Sequence, residues 1–492
     1  MTRSLLRRML VSQYFDLPNG FIIILVMSFF IMFDFNMMTH TILINCTNNF
    51  DFSENDAWLL YRSFIAVTCF MPVLGGLLSN RLLSYRLSIV TGLSFATIGL
   101  FLLCFNSIFN LYLGLSCFAV GLGLTVPSIF IVLSYLLETK ASKRTSHFVL
   151  FFICVAAGSL ISADIAIPIA NEWGYQGCFL LAAIGTLLAI MIFIPCLTPF
   201  ISNKHFIALT KVPATRRSGW VYQISGIVCA LLLIPIISRV LFYAEFNTSA
   251  IYFSIVIIAG YCAGLYINAT PTMRPKFSAY FFLLFIGIGF WTLYMFLPSL
   301  LTIFIEEHVN NQVFTHEMNA NQLLNLNPIF IILLGILIFF IWQKREYRRG
   351  LQAAYQFAIA ITLIGFAFLI LDFGIFYNQT NGKIALIWVF MSYTLQALAE
   401  LHIVPIGASI VCKLTPKEQH GIFMGIWIFA IQIGNMLASQ LINLTYQHLD
   451  TSFFNLPNHF YAGNFTRFGI MAITLGILTS LLAPKIQMAF EL

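Results

Sequence analysis

The sequence predicts an all-α membrane protein with fourteen transmembrane helices, organised as six, two and six. Three observations lead there. Of 492 residues, 60% are apolar and only 9% are Asp, Glu, Lys or Arg, whereas a soluble domain carries about 25% charge. The apolar residues gather into fourteen runs, each long enough to cross a hydrocarbon layer about 30 Å thick. The basic residues between those runs fall overwhelmingly on alternate loops, the pattern that reports orientation in a bilayer. Soluble enzymes, nucleic-acid binders and secreted disulfide scaffolds are excluded by this composition.

The runs lie at about 20–45, 57–79, 87–106, 110–137, 147–170, 177–199 and 219–242. Seven more follow at about 249–271, 277–305, 322–342, 351–376, 384–411, 420–446 and 466–486. Each must be helical, because lipid offers no partner to an unpaired backbone N–H or C=O. The first run is too long for a cleavable signal, and it contains Asp34, Asn36 and His40. The ten Cys are scattered with no CxxC spacing, so they read as small packing residues rather than metal ligands or a disulfide framework.

With the N-terminus in the cytoplasm, all but four of the 25 Lys and Arg fall on the cytoplasmic side, the exceptions being Arg62, Arg239, Lys383 and Arg467. One span more or fewer would invert every later loop and destroy the asymmetry. Both termini are therefore expected inside, in the inner (plasma) membrane of a cell. The long basic stretches around 200–217 and 344–349 divide the chain into a six-helix bundle at 1–199, a two-helix insert at 200–276 and a second six-helix bundle at 277–492. Two matching halves predict a transporter whose substrate sits near the midplane. The segment from Arg3 to Leu10 reads as a short basic amphipathic stretch lying along an anionic leaflet.

Glu400 stands out on chemistry alone. It lies midway along its span, where an ionisable group facing lipid costs at least ~2.5 kcal/mol, so it is expected to face a wet cavity or a partner. A carboxylate there can hold a substrate ammonium or take up a proton; the competing reading is a structural carboxylate beside Pro405. Asp34, at mid-span of the first run, and His40, one and a half turns on, form a second polar pair suited to a proton relay. Structural pairing is the alternative for Asp34. His402 reads more naturally as a packed histidine.

Two stretches carry a resemblance. Between the second and third runs stands Gly75-Gly76-Leu-Leu-Ser-Asn80-Arg81-Leu-Leu-Ser-Tyr-Arg86. The glycines allow close helix approach, and Arg81 and Arg86 can bridge to helix ends or carboxylates at a cytoplasmic gate. This resembles the loop signature of the major facilitator superfamily, with Asn80 in place of the usual Asp and Ser84 in place of a Gly. The second stretch, 387–435, holds Glu400, Pro405-Ile-Gly407, Lys413-Leu-Thr-Pro416, Met424-Gly425-Ile-Trp427 and Gly434-Asn435. It resembles the proton-dependent oligopeptide transporter family. Phe290-Trp291 with Tyr294, Asn327-Pro328, Gly121-x-Gly123 with Pro127, and the two-helix insert at 219–271 add to it. The resemblance implies the major facilitator fold, and it implies that Glu400 and Asn327 hold a substrate amino group in a pocket shaped by Trp427 and Tyr294. Short outer loops further resemble the bacterial members of that family.

The first half departs from the family. Where the family carries ExxERFxYY, this chain has Phe29, Met32 and Phe33 for the Glu, Glu and Arg, and Asn36 and Met37 for the two Tyr. Val126, Ala156 and Met295 replace an expected Lys, Asn and acidic residue. The amine-side contacts survive in part, and the cationic clamp for a carboxylate is gone. A carboxylate desolvated without a cation costs several kcal/mol, so a free peptide C-terminus should bind poorly.

The expectation is an importer of small amine-bearing solutes, di- or tripeptides or amino-acid derivatives, working by alternating access with proton coupling through Glu400, Asp34 and His40. Its partners are the small solute, protons and the bilayer, with no nucleic acid, and it is expected to act as a monomer. No metal, cofactor or catalytic group is expected, and no Gly-Lys nucleotide loop couples it to ATP. Two rivals remain. A fourteen-helix drug or metabolite exporter shares the span count, but the fifth run (Ala156 to Asp164) lacks the Gly-Pro-rich signature of such antiporters. A non-transporting nutrient sensor would explain the polar positions lost from the pocket.

Overall fold

The structure is a computed structural model that describes residues 20–138, 144–200, 219–243, 247–313, 316–317, 323, 325–344, 353–378, 383–446 and 456–491. The Arg3–Leu10 stretch, Lys140, Lys143 and the basic clusters at 204–217 and 345–349 lie outside the described residues. In chain order the helices are α1 (Phe21–Asn49), α2 (Glu54–Arg81), α3 (Tyr85–Leu103), α4 (Ile108–Leu136), α5 (Arg144–Phe200), α6 (Gly219–Phe242) and α7 (Asn247–Ile267). Then come α8 (Arg274–His308), α9 (Leu326–Lys344), α10 (Ala353–Tyr377), α11 (Leu386–Leu414), α12 (His420–Tyr446) and α13 (Asn458–Glu491). The only strands among the described residues are two-residue pairs. β1 (Val309–Asn310) runs parallel to β4 (Ile384–Ala385), and β2 (Gln312–Val313) runs antiparallel to β3 (His316–Glu317).

Every apolar run overlaps one of these helices along most of its length. Among the described residues, twelve helices are long and apolar enough to cross a membrane, two fewer than the fourteen expected, for two local reasons. The fifth and sixth runs share α5, which is broken at Gly174, where φ is 71° and ψ 175°. Its two halves fold back on each other: the Cys178 thiol reaches the Ala166 carbonyl at 3.4 Å, whereas twelve residues of straight helix would hold them about 18 Å apart. The tenth run gives the shorter apolar helix Leu326–Trp342.

Helix starts follow local chemistry. Ser53 caps α2 by accepting from the Asp56 N–H at 3.2 Å, with Glu54 and Asp56 in the first turn facing the positive helix end. Ser84, the residue that replaces a Gly in the gate signature, caps α3 by accepting from the Leu87 N–H at 3.3 Å. Pro275 opens α8, where the missing N–H costs nothing.

The chain divides into two compact units. One comprises Met1–Tyr252, Phe339–Arg348 and Lys417–Gly425; the other comprises Phe253–Ile338, Arg349–Pro416 and Ile426–Leu492. In the first, α1 packs along α5, α3 and α2 pack on α4, and α6 lies against α4 and α2. α4 is the most enclosed of the spans. Gly75 of α2 faces Gly123 of α4 so closely that a Cβ there would overlap the Gly123 carbonyl. In the second unit, α10 packs on α13 and α11, with α8 against all three. α7 buries none of its apolar stretch, the outcome expected of a helix facing acyl chains on all sides.

Candidate functional site

The strongest constellation lies in the second unit and rests on three helices. α11 places Glu400 at its midpoint, buried to 9% exposure. From α8, the Tyr294 hydroxyl donates to Glu400 Oε2 at 2.7 Å. From the first turn of α9, the Asn327 amide donates to the same oxygen at 3.3 Å and also to the Tyr294 hydroxyl. Pro328 follows in the helix-opening position that suits a residue with no N–H. Both donors converge on Oε2, so Oε1 takes a hydrogen bond from neither. Asn327 Oδ1 is buried with no hydrogen-bond partner. Two neutral donors orient a carboxylate but do not neutralise it; such a group can bind a cation or accept a proton.

Aromatic residues frame the group. Phe290 stacks on Tyr294 with centroids 5.6 Å apart, and Trp291 meets it edge-on at 5.4 Å. Trp427 on α12 sits in a slot made by missing side chains: a Cβ at Gly407 or Gly287 would run into its indole. Phe357 meets the same indole edge-on at 5.8 Å. Gly407 lies two turns along α11 from Glu400, about 10 Å away, so the geometry makes Trp427 a packed wall rather than a hydrogen-bonding neighbour of the carboxylate.

In the first unit, Asp34 is 1% exposed and accepts from the Thr186 hydroxyl at 2.7 Å. Its Oδ1 has no hydrogen-bond partner and fills the space left by Gly185, where a Cβ would stand 2.9 Å away. His40 is exposed. Six residues carry it about 120° around the helix from Asp34, and no hydrogen bond joins the two among the described residues. His402 is half-buried, its Nδ1 2.8 Å from the Leu398 carbonyl of its own helix.

The gate stretch also lies in the first unit. A Cβ on Gly76 would overlap the backbone of Gly421. The Asn80 amide donates to the Glu418 carbonyl at 3.0 Å, and Asn80 Oδ1 accepts from Tyr85. Tyr135 of α4 and His420 Nδ1 are 2.9 Å apart. Arg81 is exposed and Arg86 half-buried, so the contact to 417–425 is made by Asn80 and the glycines rather than by the arginines. Sequence reasoning missed Thr186, Tyr135 and His420. The departure from Asp at Asn80 was the one available signal: an amide can donate to a carbonyl, which an ionised Asp cannot.

Long apolar helices, one of them with a carboxylate buried at mid-span, define a multi-pass membrane protein. A family model described as the POT family matches residues 86–456. The chain belongs to the POT family. It is 26% identical over 473 residues to dipeptide and tripeptide permease A of Chromobacterium violaceum, covering 95% of this chain and 93% of that protein. It is 25% identical over 458 residues to dipeptide and tripeptide permease B of Aliivibrio fischeri, covering 89% of this chain and 88% of that one. Among solved structures, a peptide transporter POT in complex with alafosfalin superposes with a TM-score of 0.70 at 19% identity, covering 96% of each chain. A POT family transporter in complex with 5-aminolevulinic acid gives 0.67 at 20% identity, covering 95% of this chain and 97% of that one. These structures share the fold.

Proposed function

We propose that the protein imports small amine-bearing solutes, amino-acid derivatives or short peptides, across the inner membrane by proton-coupled alternating access between two six-helix bundles. The carrying observation is the buried Glu400 with Tyr294 and Asn327 converging on one of its oxygens. An ammonium group fits the carboxylate, and the unpartnered Asn327 Oδ1 offers a second acceptor to the same cation. The curated relatives are dipeptide and tripeptide permeases, in keeping with a solute of this size. In this reading Glu400, Asn327 and Tyr294 hold the amine and Trp427 walls the pocket. Glu400 takes up the coupling proton; Asp34 and His40 are the further protonatable groups on α1. Gly75, Gly76, Arg81 and Arg86 belong to the cytoplasmic gate. The protein works as a monomer with both termini in the cytoplasm, and residues 200–276 form an insert between the bundles.

The test is uptake into proteoliposomes at about pH 5.5 and about pH 7.5, either side of the neutral range in which the coupling groups must titrate. Wild-type protein should take up solute faster at the acidic value. Glu400→Gln keeps the shape and the two hydrogen-bonding neighbours but cannot bear charge, so acid-stimulated uptake should vanish. Uptake by that variant equal to wild type at both values would remove Glu400 from coupling and from amine binding.

A further inference from the structure

The distribution of buried charge narrows the solute class. Among the described residues, the buried groups that can carry charge are two carboxyls, Asp34 and Glu400, and two imidazoles, His147 and His420; no Lys or Arg is buried. α1, α4, α10 and α12 contain no Lys or Arg at all, and α5 has only its first residue, Arg144. The remaining cations sit toward helix ends and at the surface. Arg62 is exposed and lies over the Trp58 ring at 5.9 Å. Arg239, Lys383, Lys413, Arg467 and Lys485 are exposed.

Distances along the helices around Glu400 make this concrete. Lys413 is thirteen residues further on α11, about 20 Å at 1.5 Å per residue; Lys276 is about 27 Å from Tyr294 on α8, and Lys344 about 25 Å from Asn327 on α9. A dipeptide docked by its ammonium on Glu400 carries its carboxylate no more than about 7 Å away. There it would lie beyond any cation of these three helices while remaining close to the negative charge of Glu400. At an effective dielectric near 20, that repulsion alone weakens binding by more than about tenfold, and the desolvation of an unpaired carboxylate adds to it.

We infer that the solute is an amine cation with no free carboxylate: a peptide amide or ester, an amino-acid amide or a simple amine. This rests on the amine-binding reading of Glu400 and narrows it. His40, exposed on α1, is the one imidazole at mid-depth of that helix and is the residue whose protonation would oppose the inference.

Thermal-shift titration of the purified full chain with four probes separates the two levels. The probes are alanyl-alanine, alanyl-alanine amide, N-acetyl-alanyl-alanine and N-acetyl-alanyl-alanine amide. The amide with a free amine should bind at least about tenfold more tightly than the free dipeptide, with neither acetylated compound stabilising the protein. Free dipeptide binding as tightly as its amide, with that affinity lost in His40→Ala, would overturn the inference and leave the amine reading intact. Equal binding of the acetylated and free amides, amide binding unchanged in Glu400→Gln, or no binding by any probe at millimolar concentration would overturn both.

Discussion

At the scale of single residues, the two buried carboxyls are held differently. Glu400 has two donors on one oxygen from two other helices, and its second oxygen lies beyond their reach. Asp34 has one donor, Thr186, with its other oxygen unpartnered beside Gly185. A buried carboxyl that loses its only hydrogen bond costs roughly 1–3 kcal/mol. Thr186→Val, which keeps the shape, should therefore lower the melting temperature of the detergent-solubilised protein. Asp34→Leu combined with Thr186→Val should recover much of the loss, because two apolar groups leave nothing unsatisfied. A single Thr186→Val variant that melts like wild type would show that the hydroxyl contributes nothing to holding Asp34. Glu400 was conspicuous in the sequence as a carboxylate at mid-span of an apolar run, whereas Tyr294 and Asn327 were singled out only through the family resemblance. Thr186 was not: a threonine in an apolar run is unremarkable, and its partner stands 152 residues away.

At the scale of elements, close approaches and breaks are set by glycine. Gly75 against Gly123, and Gly76 against Gly421, bring backbones together where any side chain would intrude. Gly174 does the opposite, ending one helix and starting the next. Its φ of 71° with ψ of 175° is a conformation that only glycine adopts without strain. Gly174→Ala should destabilise the protein by about 1–3 kcal/mol, measured as a lower melting temperature with unchanged secondary structure content by circular dichroism. An unshifted melt would mean that the break between the halves of α5 tolerates a side chain. The hydropathy pattern located both halves of α5, since each is an apolar run of spanning length. It could not show that they form one broken helix, since that depends on the backbone angles of a single residue.

At the scale of the whole molecule, charge carries both the orientation expected from the sequence and the selectivity proposed above. The asymmetry of 21 of 25 basic residues predicts both termini in the cytoplasm. A green fluorescent reporter fused after Leu492 should fluoresce, and an alkaline phosphatase fusion at the same point should be inactive; the reverse pair of results would invert the orientation. The same sparseness of cations leaves Glu400 as the one buried carboxyl among the described residues of its unit.

Composition and hydropathy alone determined that this chain lives in a bilayer and how many apolar segments it has, because lipid imposes length and polarity rules that each segment must obey by itself; the family resemblance came from the motifs around Gly75–Arg86 and Glu400–Asn435. Whether a polar residue in such a segment meets a partner was decided only by packing. Tyr294 and Asn327 come to Glu400, and Thr186 to Asp34, because helices distant in sequence lie side by side. His40, equally polar and only six residues from Asp34, turns to a different face of α1.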